Sequence, residues 1–173
     1  TEESEIRPFN FYARTKIGFQ KILETYANKI NLTTLRLFSP YGPKDNEKVI
    51  PAIIKSILNK KELNIENPNI NCDFTYVEDI ADAYLNSVKG MKEQKKMPKL
   101  INVCSGKFYP LFDVINILQE ISKEKLNINF NNNEFIKIKE SSNALASNTI
   151  DWSPTTSLKN GLEKTFKYYK KTL

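Results

Sequence analysis

Tyr12 and Lys16 are the two residues of this chain whose types and spacing most directly suggest chemistry. They stand four positions apart at the start of a segment with helical periodicity, so both side chains should lie on one face of a helix. An ammonium group beside a phenol favours the ionised phenolate, and a tyrosine so placed can exchange a proton near neutral pH. The spacing therefore predicts a general acid/base pair, against the alternative of an ordinary exposed helical pair.

The composition restricts what other chemistry is open to the 173 residues. The chain has no histidine, which excludes Ser–His triads, histidine proton shuttles and nearly all transition-metal sites. Its two cysteines, Cys72 and Cys104, are too few for a structural zinc site, so no metal site is expected. Two cysteines also fit a reducing compartment, and we expect a cytoplasmic protein.

The charge balance argues against nucleic acid as a partner. The net charge is +6 at pH 7, but arginine, which nucleic-acid-binding proteins favour, occurs only three times and the lysines are mostly dispersed. No apolar run approaches the roughly 18 residues that a membrane helix needs, so no membrane partner is expected either. A mild positive field would suit a phosphorylated small molecule.

Helical and strand-like segments alternate along the chain, which is typical of an α/β protein with parallel strands. Helices are predicted at residues 11–28, after Pro51, and at 78–90, 111–122 and 158–169. Strands are predicted at 32–38, 63–65, 74–77, 100–103, 128–130 and 135–138, with turns at 67–69 and 131–133. Tyr12 and Lys16 would lie in the first turns of the first helix.

Five segments, in order, resemble the extended short-chain dehydrogenase/reductases of the NAD-dependent epimerase/dehydratase family, which modify nucleotide sugars. Residues 8–16, PFNFYARTK, are similar to the family's Pro-x-x-x-Tyr-x-x-x-Lys block, and 35–43 to the strand and loop that end under the nicotinamide. Residues 72–81, CDFTYVEDIA, resemble its Arg-Asp-Phe-x-Tyr-Val-x-Asp block. Residues 102–111 and 150–162 resemble its Asn-Val-Gly-Ser-Gly and Gly-Trp-x-Pro blocks. The resemblance spans nearly the whole chain.

The resemblance implies catalytic and cofactor-binding roles. The family's tyrosine exchanges a proton with a sugar hydroxyl while NAD or NADP takes or returns a hydride, and its lysine holds the nicotinamide ribose. Tyr12 and Lys16 are thus expected to be catalytic and to contact the cofactor. Phe38 and Pro40 match positions beside the nicotinamide, although Phe38 also suits a strand core and Pro40 a turn.

Ser39, Cys72 and Asn102 are expected, on the same resemblance, to bind the substrate. Ser39 stands where the family often has an asparagine that touches the substrate. Cys72 replaces an arginine that grips the nucleotide diphosphate, and a thiol lacks that charged fork. Asn102 also suits a turn, and Asp79 is interpreted as a helix cap rather than a catalytic acid.

The resemblance further implies two lobes. Residues 1–45 and 73–105 are expected to form the C-terminal part of a doubly wound, parallel Rossmann sheet that binds NAD(P). Residues 46–72 and 106–173 are expected to form a small α/β lobe that binds the nucleotide sugar.

One family motif does not occur in these residues. The sequence contains no Gly-x-x-Gly-x-x-Gly after a strand, the motif that holds the dinucleotide pyrophosphate in this fold. We therefore expect the carboxy-terminal part of a homodimeric epimerase, dehydratase or reductase, inactive as residues 1–173 alone. The alternative is a non-catalytic nucleotide-sugar-binding or scaffold module.

Overall fold

The structure is a computed structural model that describes residues 1–45, 48–65, 70–130 and 141–173. Its helices are α1 Phe11–Glu24, α2 Val49–Asn59, α3 Val77–Lys92, α4 Leu111–Ser122, α5 Ala144–Ile150 and α6 Leu158–Thr172. Its strands are β1 Thr34–Leu37, β2 Pro40–Tyr41, β3 Leu63–Ile65, β4 Asn71–Cys72, β5 Thr75–Tyr76, β6 Leu100–Val103, β7 Tyr109–Pro110 and β8 Ile128–Phe130. Within these ranges, no helix has the length and apolarity needed to cross a membrane.

The strands of the described ranges form four pairs, three of them parallel. β1 pairs with β6, β2 with β5 and β3 with β8 in parallel, whereas β4 and β7 run antiparallel. In the longest pair, Leu35 lies opposite Ile101 and Leu37 opposite Val103. Helices lie in the chain between strands that pair in parallel, which is the arrangement of an α/β protein. The predicted α/β class with parallel strands is therefore confirmed.

Most predicted elements are present with shifted ends. β3, α4, β6 and β8 lie where the sequence pattern placed them. α1 ends at Glu24, before residue 28, because the chain continues as turns in which the Thr25 hydroxyl donates to the Ile22 carbonyl at 2.7 Å. α2 begins at Val49, since the first turn of a helix accommodates Pro51 without losing a hydrogen bond.

Four elements were missed, namely α5 and the two-residue strands β2, β4 and β7. A helix of 7 residues or a strand of two gives too short a pattern to be recognised from periodicity. The predicted strand at 135–138 and the predicted turns at 67–69 and 131–133 lie outside the described residues.

α1, which carries the Tyr12–Lys16 pair, stands out from the rest of the fold. Asn10 caps its start by accepting a hydrogen bond from the Ala13 N–H at 2.8 Å. None of its residues is buried, and Phe11 and Phe19 are 82% and 60% exposed. In the described part of the chain, the apolar stripe of this helix therefore faces solvent.

Where the structure describes the chain, its buried apolar residues form two clusters. The larger cluster joins β2 and β5 to α2, α4 and α6. The smaller cluster lies between β6, α3 and α5 and includes Trp152. The predicted lobe boundaries stay a prediction, but the packing places α5 and Trp152 beside β6.

Candidate active site

Tyr12 and Lys16 lie together on the exposed side of α1. The Lys16 Nζ is 5.2 Å from the centroid of the Tyr12 ring, the arrangement that a spacing of four residues favours. Tyr12 is 67% exposed, so its hydroxyl is accessible to a ligand. The geometry allows an acid/base pair, and its catalytic role stays a prediction.

Phe38, Ser39 and Pro40 connect the carboxyl end of β1 to β2. The Phe38 N–H donates to the Val103 carbonyl at 3.1 Å and so prolongs the β1–β6 ladder by one residue. Ser39 has a positive φ of 27°, which turns the chain before Pro40 pairs with Thr75. The three residues thus stand at the end of a parallel strand, where α/β sheets bind their ligands.

Ser39 and Cys72 are brought together by the fold. The Thr75 N–H donates to the Ser39 carbonyl at 3.4 Å, which brings the Ser39 side chain near the Cys72 thiol although 33 positions separate the two residues in the sequence. Burial raises the pKa of the Cys72 thiol, and the nearby Ser39 side chain opposes this in part. The thiol is therefore neutral at pH 7, and two of the three predicted substrate-binding residues offer uncharged polar groups at one place.

Asn102, the third predicted substrate-binding residue, lies in β6 opposite Arg36. It is buried, and its backbone N–H donates to the Glu2 carboxylate at 2.8 Å. Its side-chain Oδ1 has no hydrogen-bond partner within the described ranges. Leaving a buried amide oxygen unpaired costs free energy, but the residue is only 1% exposed, so its substrate-binding role stays a prediction.

Asp73 is a site residue that the sequence interpretation did not single out. Its buried carboxylate accepts hydrogen bonds from the Ser105 N–H at 2.7 Å and the Gly106 N–H at 2.8 Å, and from the Ser141 hydroxyl. Gly106 has a left-handed φ of 73°, a conformation in which successive N–H groups form an anion-binding concavity. Asp73, which directly follows Cys72, is thereby anchored to the turn at Ser105 and Gly106. The signal in the sequence that could have revealed it is the acidic residue beside Phe74.

Asp79 does not cap α3, contrary to the sequence interpretation. The N-cap residue is Tyr76, and Asp79 lies inside the first turn of the helix. Its carboxylate instead accepts hydrogen bonds from the backbone N–H and hydroxyl groups of both Thr155 and Thr156, at 3.0–3.3 Å. The carboxylate is thus engaged by a distant turn, as an anchor and not as a proton donor.

Cys104 lies at the end of β6 and is fully buried. Burial raises the pKa of its thiol to about 11, with a smaller contribution from the nearby Asp73 carboxylate. Both cysteines are free, and Cys104 is chemically inert at neutral pH. Among the described residues, no group of three or more Cys, Asp or Glu side chains could hold a metal ion.

Residues 1–104 match the model of the NAD dependent epimerase/dehydratase family. UDP-glucuronate 4-epimerase 4 of Arabidopsis thaliana is 28% identical, in an alignment that covers 94% of this chain and 42% of the plant protein. UDP-glucuronate 4-epimerase of Thermodesulfobacterium geofontis is 27% identical, over 96% of this chain and 52% of its own length. The chain spans about half the length of the curated relatives it matches.

Solved structures share the fold along the entire chain. UDP-glucuronic acid 4-epimerase from Bacillus cereus, in complex with UDP-glucuronic acid and NAD, has a TM-score of 0.86 at 25% identity and covers 100% of this chain and 56% of its own. RMD from Pseudomonas aeruginosa, complexed with NADPH, has a TM-score of 0.88 at 21% identity over 100% of this chain and 60% of its own. These similarities confirm the predicted fold class, an α/β protein with parallel strands that corresponds to the C-terminal part of Rossmann-type structures.

Proposed function

Because the chain belongs to the NAD dependent epimerase/dehydratase family, we propose that it supplies the acid/base pair and the substrate lobe of a nucleotide-sugar epimerase or dehydratase. The observation that carries the proposal is the accessible Tyr12–Lys16 pair, with the ammonium 5.2 Å from the ring centroid. In the proposed reaction the Tyr12 phenolate takes the proton of a sugar hydroxyl, and the resulting Tyr12 phenol returns it. Lys16 stabilises the phenolate that this proton transfer requires.

NAD or NADP, the hydride acceptor and donor of such a reaction, fits the residues present at its nicotinamide end. Lys16 offers an exposed ammonium to a ribose hydroxyl, and Phe38 and Pro40 stand at the carboxyl end of β1. A dinucleotide pyrophosphate needs the N–H groups of a glycine-rich turn, and these 173 residues contain no Gly-x-x-Gly-x-x-Gly. We infer that a further segment completes the cofactor site and that residues 1–173 alone do not turn over.

UDP-sugars are the proposed substrate class. The relatives from Arabidopsis thaliana and Thermodesulfobacterium geofontis are named as UDP-glucuronate 4-epimerases, which supports this choice. Ser39, Cys72 and Asn102 would contact the ligand through neutral polar groups. The net charge of +6 favours a diphosphate over a neutral sugar.

A homodimer in the cytoplasm is the proposed state of the enzyme. The exposed apolar stripe of α1, which includes Phe19 and Ile22, supports a helix-mediated contact between two copies.

Replacing Tyr12 by phenylalanine tests the proposed chemistry. The variant is made in the enzyme that combines this chain with the glycine-motif segment expected upstream in its gene, and epimerisation of UDP-glucuronic acid and UDP-glucose is measured. We expect kcat to fall by about 10²–10⁴-fold, because general acid/base catalysis contributes that much. Tyr26→Phe, at an exposed tyrosine just beyond α1, is the matched control and should keep its activity. Retained hydride transfer in Tyr12→Phe would refute the assignment.

A non-catalytic nucleotide-sugar-binding module is the second candidate, favoured by the lack of the glycine motif in these residues. It predicts that residues 1–173 bind UDP-glucuronic acid or UDP-glucose without NAD(P). Calorimetry that detects neither ligand would eliminate this candidate.

A further inference from the structure

We propose that Asp79 is a positioning residue that links the two hydrophobic clusters and thereby sets the Ser39–Cys72 contact. The inference rests on the proposed function in one respect, namely that this contact belongs to the nucleotide-sugar site. Asp79 touches neither residue, so its influence must pass through the elements between them. The first two steps of that route are contacts in the structure, and the third combines ring contacts of Tyr41 with short stretches of backbone.

The first step joins Asp79 to the segment before α6. The carboxylate, in a residue only 2% exposed, accepts from the N–H and hydroxyl groups of Thr155 and Thr156. The Asp79 backbone carbonyl accepts from the Trp152 indole N–H at 2.7 Å. A buried carboxylate depends on such bonds, because losing a donor exposes the full desolvation cost of the charge.

The second step joins this segment to β2 through the start of α6. Ser157 caps the helix by accepting from the Asn160 N–H at 3.2 Å, and the Leu158 carbonyl accepts from the Tyr41 hydroxyl at 3.4 Å. Gly161 lies against the same ring, where an added Cβ would overlap the Tyr41 hydroxyl and stand 2.8 Å from its Cζ. The position of α6 therefore determines where the Tyr41 ring can lie.

The third step joins Tyr41 to both sides of the Ser39–Cys72 contact. Tyr41 is two residues beyond Ser39 in the chain, so we expect a displacement of its ring to reach Ser39 through the backbone of Pro40. The same ring packs edge-on against Phe74, with centroids 6.1 Å apart, and against Tyr76 at 5.5 Å. Phe74 is two residues beyond Cys72 in the chain. A shift of the Tyr41 ring would therefore displace both Ser39 and Cys72.

Asp79 also lies where the two clusters meet. Trp152, which donates to its carbonyl, belongs to the smaller cluster. Leu158 and Leu162, just beyond the anchored turn, belong to the larger one. The four hydrogen bonds to the Asp79 carboxylate thus set the position of the smaller cluster, which contains β6, relative to the larger cluster, which contains α6. This position matters for function, because displacements of about 1 Å are enough to impair catalysis.

Thiol reactivity tests this route without any ligand. Residues 1–173 are treated with iodoacetamide at pH 8, and modification of Cys72 and Cys104 is followed separately by mass spectrometry. In Asp79→Asn an amide NH₂ group faces the Thr155–Thr156 donors, so we expect Cys72 to react roughly three- to tenfold faster through local opening. Cys104, which is fully buried just beyond β6, should stay protected.

Two further variants keep the test decisive. Glu78→Gln removes the neighbouring carboxylate, whose exposed ion pair with Lys164 spans 2.7 Å, and should leave both rates unchanged. Thr156→Val removes one hydroxyl donor at nearly constant shape and should accelerate modification of Cys72 by a smaller factor. It therefore keeps the inference testable if Asp79→Asn fails to fold.

The outcomes separate this inference from the proposed function. Equal acceleration of both cysteines would indicate general loosening, and unchanged rates in both Asp79→Asn and Thr156→Val would show no coupling; either result overturns the inference. Full activity of Tyr12→Phe would refute the proposed chemistry and leave the thiol result intact.

Discussion

Cys72 shows how one side chain limits the ligand chemistry of the site. The family resemblance places an arginine at this position, which would hold a diphosphate by paired, charge-assisted hydrogen bonds. The thiol instead lies near Ser39, and burial keeps it neutral by raising its pKa. Recognition at this point must therefore depend on neutral hydrogen bonds.

Restoring the positive charge should strengthen binding of a nucleotide sugar. In Cys72→Arg we expect UDP-glucuronic acid to bind about tenfold more tightly at low salt, because a charge-assisted hydrogen bond contributes about 1.5–3 kcal/mol. The gain should shrink as salt screens the charge. Calorimetry at several salt concentrations measures it, with circular dichroism to check folding.

Cys72→Ser is the matched control for this change and should bind like the parent chain, since it keeps a neutral polar group. A tighter affinity in Cys72→Arg that salt does not alter, or no change at all, would contradict the electrostatic explanation.

At the scale of elements, α6 packs closely only because glycine occurs where it meets β2. Gly161 is buried against Tyr41, and no side chain fits between the helix and the ring. Gly18, in the middle of α1, has no heavy atom within 4 Å of an added Cβ. Gly161 and Gly18 thus have opposite roles, the first required by packing and the second not.

Alanine substitutions should separate these roles. Gly161→Ala is expected to lower the free energy of unfolding by about 1–3 kcal/mol, because the added methyl group forces apart a packed interface. Gly18→Ala is expected to raise it by up to about 1 kcal/mol, because alanine is the better helix former. Urea unfolding followed by circular dichroism measures both, and equal effects would show that the contact with Tyr41 is not tight.

At the scale of the whole molecule, the buried apolar side chains of the described residues form two clusters, and α1 contributes no buried residue to them. The fold also buries groups that can ionise at high pH. Burial raises the pKa of the Cys104 thiol to about 11 and raises that of the Tyr41 phenol as well. The folded protein therefore holds protons that the unfolded chain releases.

Stability should decline at alkaline pH for this reason. The unfolded thiol ionises near its ordinary pKa of about 8.5, whereas the folded one does not, so the stabilisation is complete below that pH and is lost as the pH approaches 11. We expect Cys104 to account for a loss of about 1–3 kcal/mol in the free energy of unfolding between pH 8 and 11. Urea unfolding under reducing conditions, at several pH values, measures this loss.

Cys104→Ala provides the comparison, because it removes the thiol and should flatten part of the alkaline slope. Tyr41 still contributes in that variant, so some decline remains. An identical slope in both proteins would rule out Cys104 as a source.

Local patterns along the chain were enough to predict most elements. The apolar periodicity of residues 111–122 and 100–103 identified α4 and β6 correctly, because helix and strand place apolar side chains at different, fixed intervals. The same local geometry placed Lys16 beside Tyr12. The missed elements, such as α5, are those too short to show a period.

Contacts between distant segments could not be obtained in this way. Asp79 was interpreted as a cap because an acid near a helix start often is one. Its true partners, Thr155 and Thr156, lie 76 and 77 positions further along the chain. Nothing in the local pattern around any of these residues specifies the others.

The sequence by itself determined the family, the α/β class and the pairing of Tyr12 with Lys16, since ordered motifs and short-range periodicity carry that information. The tertiary structure alone decided that Ser39 meets Cys72 and that Asp79 is an anchor. The physical reason is that such contacts depend on how helices and strands pack. Packing depends on the summed shape of many side chains, which no short stretch of sequence encodes.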